Sequence, residues 1–298
     1  MKKDMISLQL LVRRGVKVFL KDKMNVFLSL LAPLIIFLLY VLFLGDLQID
    51  SLKQAFQGME VDEKALNAFV DGWMLAGVMA VATITVSFSA NSLMVQDRER
   101  GLVDDFVASP VKGGVVNAFY FVYNFLVTSV ICFVLLAISL VYLALSGWYL
   151  TAADVLGIIG MTLFSAAAST LLSALICGFI RSEAALGGLV GIMSAAIGFL
   201  CGAYMPLTMF PKAVQYFALI LPGTYSAGIF RNLFMNGALE KLAENAPVIS
   251  QTLKDTYSLN IDFFGLSLGP AEMAIVLADF VIVLLIVNIL VKKFKKGR

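Results

Sequence analysis

The most informative set of ionisable side chains lies at 96–110, reading QDRERGLVDDFVASP between two long apolar runs, a charged handle that something outside the chain can grip. Asp97, Arg98, Glu99 and Arg100 make a mixed charge cluster, and Gly101 can break the helix that precedes it. Leu102, Val103, Phe106 and Val107 then recur at i, i+1, i+4 and i+5, one face of a short helix, with Asp104 and Asp105 on the other. Ser109 and Pro110 follow, and the proline stops the helix. Two readings fit. One is an interfacial helix with a solvated charged face. The other is a rigid lever whose apolar residues dock in a cleft of a cytosolic partner and transmit its motion. Either is mechanical and requires no bond to be made or broken.

Covalent chemistry finds few candidates elsewhere. Histidine is absent, which removes Ser-His triads, HExxH zinc sites and imidazole relays. No GxxxxGK[ST] loop is present to cradle nucleotide phosphates, and no GxSxG. Asp279 is the one carboxylate well inside an apolar run, so an intramembrane aspartyl enzyme lacks its second acid. At a helix centre it would cost about 2.5–3.5 kcal/mol on insertion scales. It is expected to face the bundle and find a hydrogen-bond partner, with a proton or cation role as the alternative. Cys132, Cys177 and Cys201 all fall in apolar runs and read as small packing residues rather than metal ligands. A net charge of +2 gives no reason to expect nucleic acid. The chain reads as a non-enzyme, with no cofactor of its own.

The elements that position these residues are membrane spans. Apolar residues make up 60% of the 298 and charged ones 14%, where a soluble domain has roughly 45–50% and 25%. The excess comes in blocks long enough to cross about 30 Å of hydrocarbon. Six spans are expected, over 25–45, 71–94, 115–145, 154–180, 184–204 and 270–291. Placing both termini in the cytoplasm puts sixteen of the 22 Lys and Arg residues on the inner side, the bias such loops favour. The expectation is a multi-pass protein of the cell membrane, with no cleavable leader ahead of the first span. Before that span, 5–23 shows an apolar face at Leu8, Leu11, Val12, Val16 and Phe19 and a basic stripe at Arg13, Lys17 and Lys21. It predicts an amphipathic helix on the membrane surface, able also to touch a cytosolic partner. The fold class is thus an all-α membrane protein: 1–24 an amphipathic connecting helix, 25–298 a six-span domain.

After the fifth span Pro206, Pro211 and Pro222 cut an apolar stretch into pieces too short to cross. Broken apolar backbone at membrane depth survives only when buried in protein or lining a cavity. Two short re-entrant helices, 211–221 and 224–235, are therefore expected within an outer segment 205–237. An outer insertion, 238–269, follows, with an extra helix plus loop.

Together the two motifs resemble the membrane subunit, or permease, of type-2 ABC exporters. Glu99, Gly101, Ser109 and Pro110 fall in register with that family's E-[RK]-E-x-G-T…Ser-Pro loop, with Leu102 replacing its threonine. Pro206, then Phe210-Pro211, then Leu221-Pro222, Thr224, Tyr225 and Arg231 match its later signature. The resemblance implies a coupling helix at 97–110, a second permease copy or paralogue, and a cytosolic ATPase subunit that alone holds ATP and Mg. It also implies an outer gate at Pro206, Pro211, Pro222, Thr224, Tyr225 and Arg231, and a substrate path along spans two and five. Hydroxyl and amide groups at Thr83, Ser87, Asn91 and Ser194 agree with that path. The substrate expected is amphipathic or hydrophobic: a drug, an antimicrobial peptide or a lipid-like compound. Lipid-linked polysaccharide or ion export, an ATPase-independent transporter and a membrane scaffold are the alternatives.

Overall fold

The computed structural model describes residues 2–56, 62–245 and 247–296. Among these, six helical stretches are long and apolar enough to cross a membrane: Lys23–Gln54, Glu63–Glu99, Gly113–Ser146, Ala152–Cys177, Glu183–Leu200 and Pro270–Val291. Each overlaps one of the six expected spans. We label α1 (Lys2–Lys21), α2 (Lys23–Leu39), α3 (Gly45–Ala55), α4 (Glu63–Ala90), α5 (Ser92–Glu99), α6 (Leu102–Ala108), α7 (Gly113–Ser146), α8 (Ala152–Cys177) and α9 (Glu183–Leu200). A π turn at Tyr40–Leu44 joins α2 to α3. Local signals set the helix starts. Asp22 and Asp62 accept hydrogen bonds from the first-turn backbone of α2 and α4, Thr151 and Asp154 form a reciprocal capping box on α8, and Ser182 caps α9.

The second span is the centre of the bundle. Every residue of its most apolar stretch is buried, and α4 packs against α2, α7, α8, α9 and the later helix Pro222–Asn245. Such a helix has no lipid-facing side, so its hydroxyls must find partners inside. Ser87 shares a 2.6 Å hydrogen bond with Ser173, which also accepts from Asn91 Nδ2 at 2.7 Å. Asn124 of α7 donates to the Ser87 carbonyl at 2.9 Å and accepts from Thr128 and Thr170. These bonds knit spans two, three and four into one rigid unit.

After α9 the chain turns through a 3-10 segment (Leu207–Met209) into α10 (Lys212–Ala218), then bends by 92° into α11 (Pro222–Asn245). α11 starts beside Ile84 and Cys201 and rises past Gly72 and the Tyr149 loop. It runs ten residues beyond the expected end at 235, because Ala238, Leu239 and Leu242 keep its apolar face buried. α12 (Pro247–Thr256) and a two-stranded hairpin, β1 (Ile261–Phe263) with β2 (Leu266–Leu268), then lead into α13 (Pro270–Lys296). A Cβ at Gly237 would run into the Tyr149 carbonyl, a backbone atom that cannot swing away. Gly237→Ala is therefore expected to cost about 2 kcal/mol as an overpacking change, read as a lower unfolding temperature in detergent.

Candidate functional site

One end of the bundle, here its base, carries α1 and the turn between α5 and α6. The expected lever is two helices rather than one. Asp97, Arg98 and Glu99 end α5; Arg100 and Gly101 make the turn; Leu102–Ala108 form α6. Gly101 has φ 75°, the left-handed region that glycine enters without a Cβ penalty, and this lets the chain reverse sharply. Ser109 Oγ donates to the Phe106 carbonyl at 2.7 Å and accepts from Val111 N at 3.3 Å, fixing the exit at Pro110.

The charge cluster is bonded to four different helices. Asp97, 2% exposed, takes a two-pronged bond from Arg14 of α1 at 2.9 and 2.7 Å, and a third from Tyr120 Oη of α7 at 3.0 Å. The carboxylate in turn raises the Arg14 pKa, through the hydrogen bond first and charge second. Arg14 also lies over the Phe106 ring, 5.9 Å from its centroid. Arg98 donates to the carbonyls of Cys177, Gly178 and Ile180 at 3.4, 3.3 and 2.5 Å, where α8 ends. Glu99 accepts from Glu183 N at 2.8 Å, where α9 begins, and Arg100 reaches Glu183 Oε1 at 3.5 Å. A cation at a helix C-terminus and an anion at an N-terminus both complement the helix dipole. One short turn therefore holds the base of α1, α8 and α9 together.

α6 itself is held on its apolar side. Leu102 and Phe106 are half-buried, and Phe106 packs against the core instead of standing free; the Val107 side chain lies outside what is described. Asp104, Asp105, Ala108 and Pro110 are exposed and make the outward face of this end. Lys112 pairs with Asp4 at 2.8 Å, holding the Asp4 carboxyl below its usual range and pinning the start of α1 beside the turn.

The second expected constellation also assembles. Thr224 Oγ1 donates to the Ala218 and Leu200 carbonyls at 2.6 and 3.3 Å, and Tyr225 Oη to the Leu219 carbonyl at 2.9 Å. Arg231, fully buried, donates from Nη2 to the carbonyls of Cys201 and Gly202 at 2.6 and 2.8 Å and from Nη1 to that of Ser258 at 3.4 Å. Pro206 and Pro222 are buried in the same elbow; Pro211 sits exposed at the head of α10. These residues close the end of α9 opposite the base.

Between the two ends lies a groove of 1310 Å³, lined along its length by α2 and α9. Leu28, Leu31, Ile35, Leu186, Val190 and Phe199 make its middle apolar. Polar groups mark its ends: Asp22, Asn25, Ser92, Gln96 and Glu183 at the base, Gln48, Thr252, Thr256 and Tyr257 at the far side. Of the four residues expected on a path, Ser194 lines this groove, whereas Thr83, Ser87 and Asn91 point into the contacts of α4 with α7 and α8. The physical reason is the central position of α4, which commits these side chains to helix contacts; span two reaches the groove only near its base, through Ser89, Ser92 and Gln96, and α2 and α9 supply most of the wall.

Asp279 departs from expectation. It lies on the exposed side of α13, with no hydrogen bond or ion pair among the described residues, and does not line the groove. Besides Asp97, the buried carboxylate among the described residues is Asp71, 8% exposed, which accepts from Tyr142 Oη at 3.2 Å. Sequence reading also passed over Arg14 and Tyr120. Arg14 is half-buried where Arg13 and Lys17 beside it are exposed, and its place in the sequence gives no sign of this. No group of three or more His, Cys, Asp or Glu among the described residues is arranged to hold a metal.

Residues 6–235 match the family model described as ABC-2 type transporter. The comparison with curated proteins finds no match.

Proposed function

The chain belongs to the ABC-2 type transporter family as a multi-pass membrane permease, and on that premise we propose that it is the export subunit of an ATP-driven pump for amphipathic or hydrophobic compounds. A separate cytosolic ATPase dimer supplies the energy, and a second permease copy or paralogue completes the pore. Both termini and the α5–α6 turn lie on the cytoplasmic side, where the basic residues concentrate. The ATPase grips the outward face of α6 at Asp104, Asp105 and Pro110.

One observation carries this reading: the turn that bears α6 is bonded through Asp97, Arg98 and Glu99 to α1, α8 and α9. A push on α6 therefore moves the base of α9, which is one wall of the groove. Relative motion of α9 and α2 converts an inward-accessible groove into an outward-accessible one, a population shift driven by the ATPase state rather than by bond chemistry in this chain. The elbow at Pro206, Thr224, Tyr225 and Arg231 closes the outer end until that shift occurs. An apolar middle with polar ends suits a molecule that has a greasy body and a polar group.

Co-expression with the ATPase and reconstitution in lipid vesicles tests the proposal. Expected results are a stable complex and ATP hydrolysis stimulated by an amphipathic substrate. A chain that carries substrate with no ATPase, or that carries none with it, contradicts the reading. Within that assay, Gly191→Trp is expected to abolish transport, because Gly191 faces the groove and has open space beyond its Cβ position. Retained transport in that variant places the substrate elsewhere.

A further inference from the structure

The last span presents two faces of opposite character. Met273, Leu277, Leu284 and Asn288 are buried against α8 and α11, with Asn288 Nδ2 donating to the Leu171 carbonyl at 3.0 Å. Ile275, Ile282, Val283, Ile286 and Ile289 are 49–64% exposed and form an apolar stripe on the other side. Asp279 sits in the middle of that stripe, one turn from Ile275 and one from Ile282. At a rise of 1.5 Å per residue it lies about 14 Å from Pro270 and about 18 Å from Val291, the ends of the span. A carboxylate at that depth faces hydrocarbon that offers it neither water nor a donor. Ionisable groups inside a span otherwise pair with one another or with a cavity. Asp279 has neither among the described residues.

We propose that the exposed face of α13 around Asp279 is a docking surface for a transmembrane helix of a different polypeptide, one that carries a Lys or Arg at matching depth. Charge complementarity selects this occupant. A second copy of the chain cannot supply it: the six apolar runs contain no Lys or Arg at mid-depth. Arg231, the one buried cation among the described residues, is fully enclosed and committed to the Cys201, Gly202 and Ser258 carbonyls. Two facing copies would oppose Asp279 to Asp279, a like-charge contact. The groove is lined by residues of α2, α3, α4, α5, α9 and α12 and by no residue of α13, so a helix docked here leaves it open. The inference rests on α13 crossing a membrane and stands apart from the transport reading.

A photo-activated cross-linking residue placed at Ile282 in the native membrane tests it. The expected result is an adduct with a second polypeptide whose cross-linked segment is apolar and contains a Lys or Arg. Asp279→Asn, nearly isosteric, should lower that adduct about tenfold, the effect of roughly 1.4 kcal/mol of lost pairing, while Asp279→Glu keeps it. Exchanging the charges, with Asp279→Lys here and the partner's basic residue changed to Asp, should restore it. Adducts with lipid alone, adducts with a second copy of this chain alone, or a polypeptide adduct indifferent to Asp279→Asn would each overturn the proposal.

Discussion

Arg14→Ala should abolish ATP-driven transport and destabilise the protein by about 2–3 kcal/mol, more than Asp97→Ala does. Removing one partner of a buried ion pair costs about 3–5 kcal/mol because a charge is left without compensation. The estimate sits lower here because the Arg14 side chain is 35% exposed and water reaches part of the pair. The asymmetry is the informative part. Without Arg14, the buried Asp97 carboxylate keeps only Tyr120 Oη. Without Asp97, Arg14 can turn to solvent, and the loss is about 1 kcal/mol, an ordinary hydrogen-bonded contribution. The double variant is therefore expected to be more stable than Arg14→Ala alone, since the stranded charge has gone. Thermal unfolding in detergent, measured beside transport in vesicles, separates the three. Equal losses for both single variants would mean that the pair is not enclosed as described.

Arg231 gives the second large effect, at the opposite end. Its guanidinium has no acidic partner and its Nε no acceptor among the described residues, so the side chain is held at a desolvation cost. What it does in return is satisfy carbonyls at the end of α9 and in the Ser258 turn, three acceptors in a dry elbow. Arg231→Met strands those carbonyls at roughly 1–3 kcal/mol each. Relief from burying the charge offsets part of that, leaving a net loss of about 3 kcal/mol. Arg231→Lys retains the charge yet has a single ammonium where a fork spans two sites, and should also fail. The expected phenotype is uncoupling: ATP hydrolysis persists while substrate leaks or stalls, because the outer closure no longer holds. Normal transport in Arg231→Lys would show that charge alone, without the fork, suffices.

The parts of this fold legible from sequence were those governed by local pattern. Apolar runs located six spans, and the positions of Pro206, Pro211 and Pro222 marked the break after α9. Gly101 and Pro110 bracketed α6, because each acts through its own backbone. What remained hidden depends on which helix lies next to which. Arg14 and Asp97 are 83 positions apart, and no periodicity in either segment announces the other. The family resemblance places span two on the path, and its hydroxyls agree with that. Its full burial turns the same residues into struts between helices. The rotation of α13 likewise decides that Asp279 faces outward, although its sequence neighbours on both sides are uniformly apolar. The extension of α11 to Asn245 is signalled by Ala238, Leu239 and Leu242 at helical spacing, but the stretch reads as the separate extra helix of an outer insertion rather than as a continuation of α11.

The side on which α6 lies, and what covers it, test the account most directly. The three native cysteines are buried, so a cysteine introduced as Asp104→Cys can be followed against a low background. A membrane-impermeant maleimide should label it in inside-out vesicles and leave it untouched in intact cells, and added ATPase subunit should protect it. Labelling from the outer surface of intact cells, or labelling from inside that the ATPase leaves unchanged, would contradict the central claim that this turn is where the motor engages the permease.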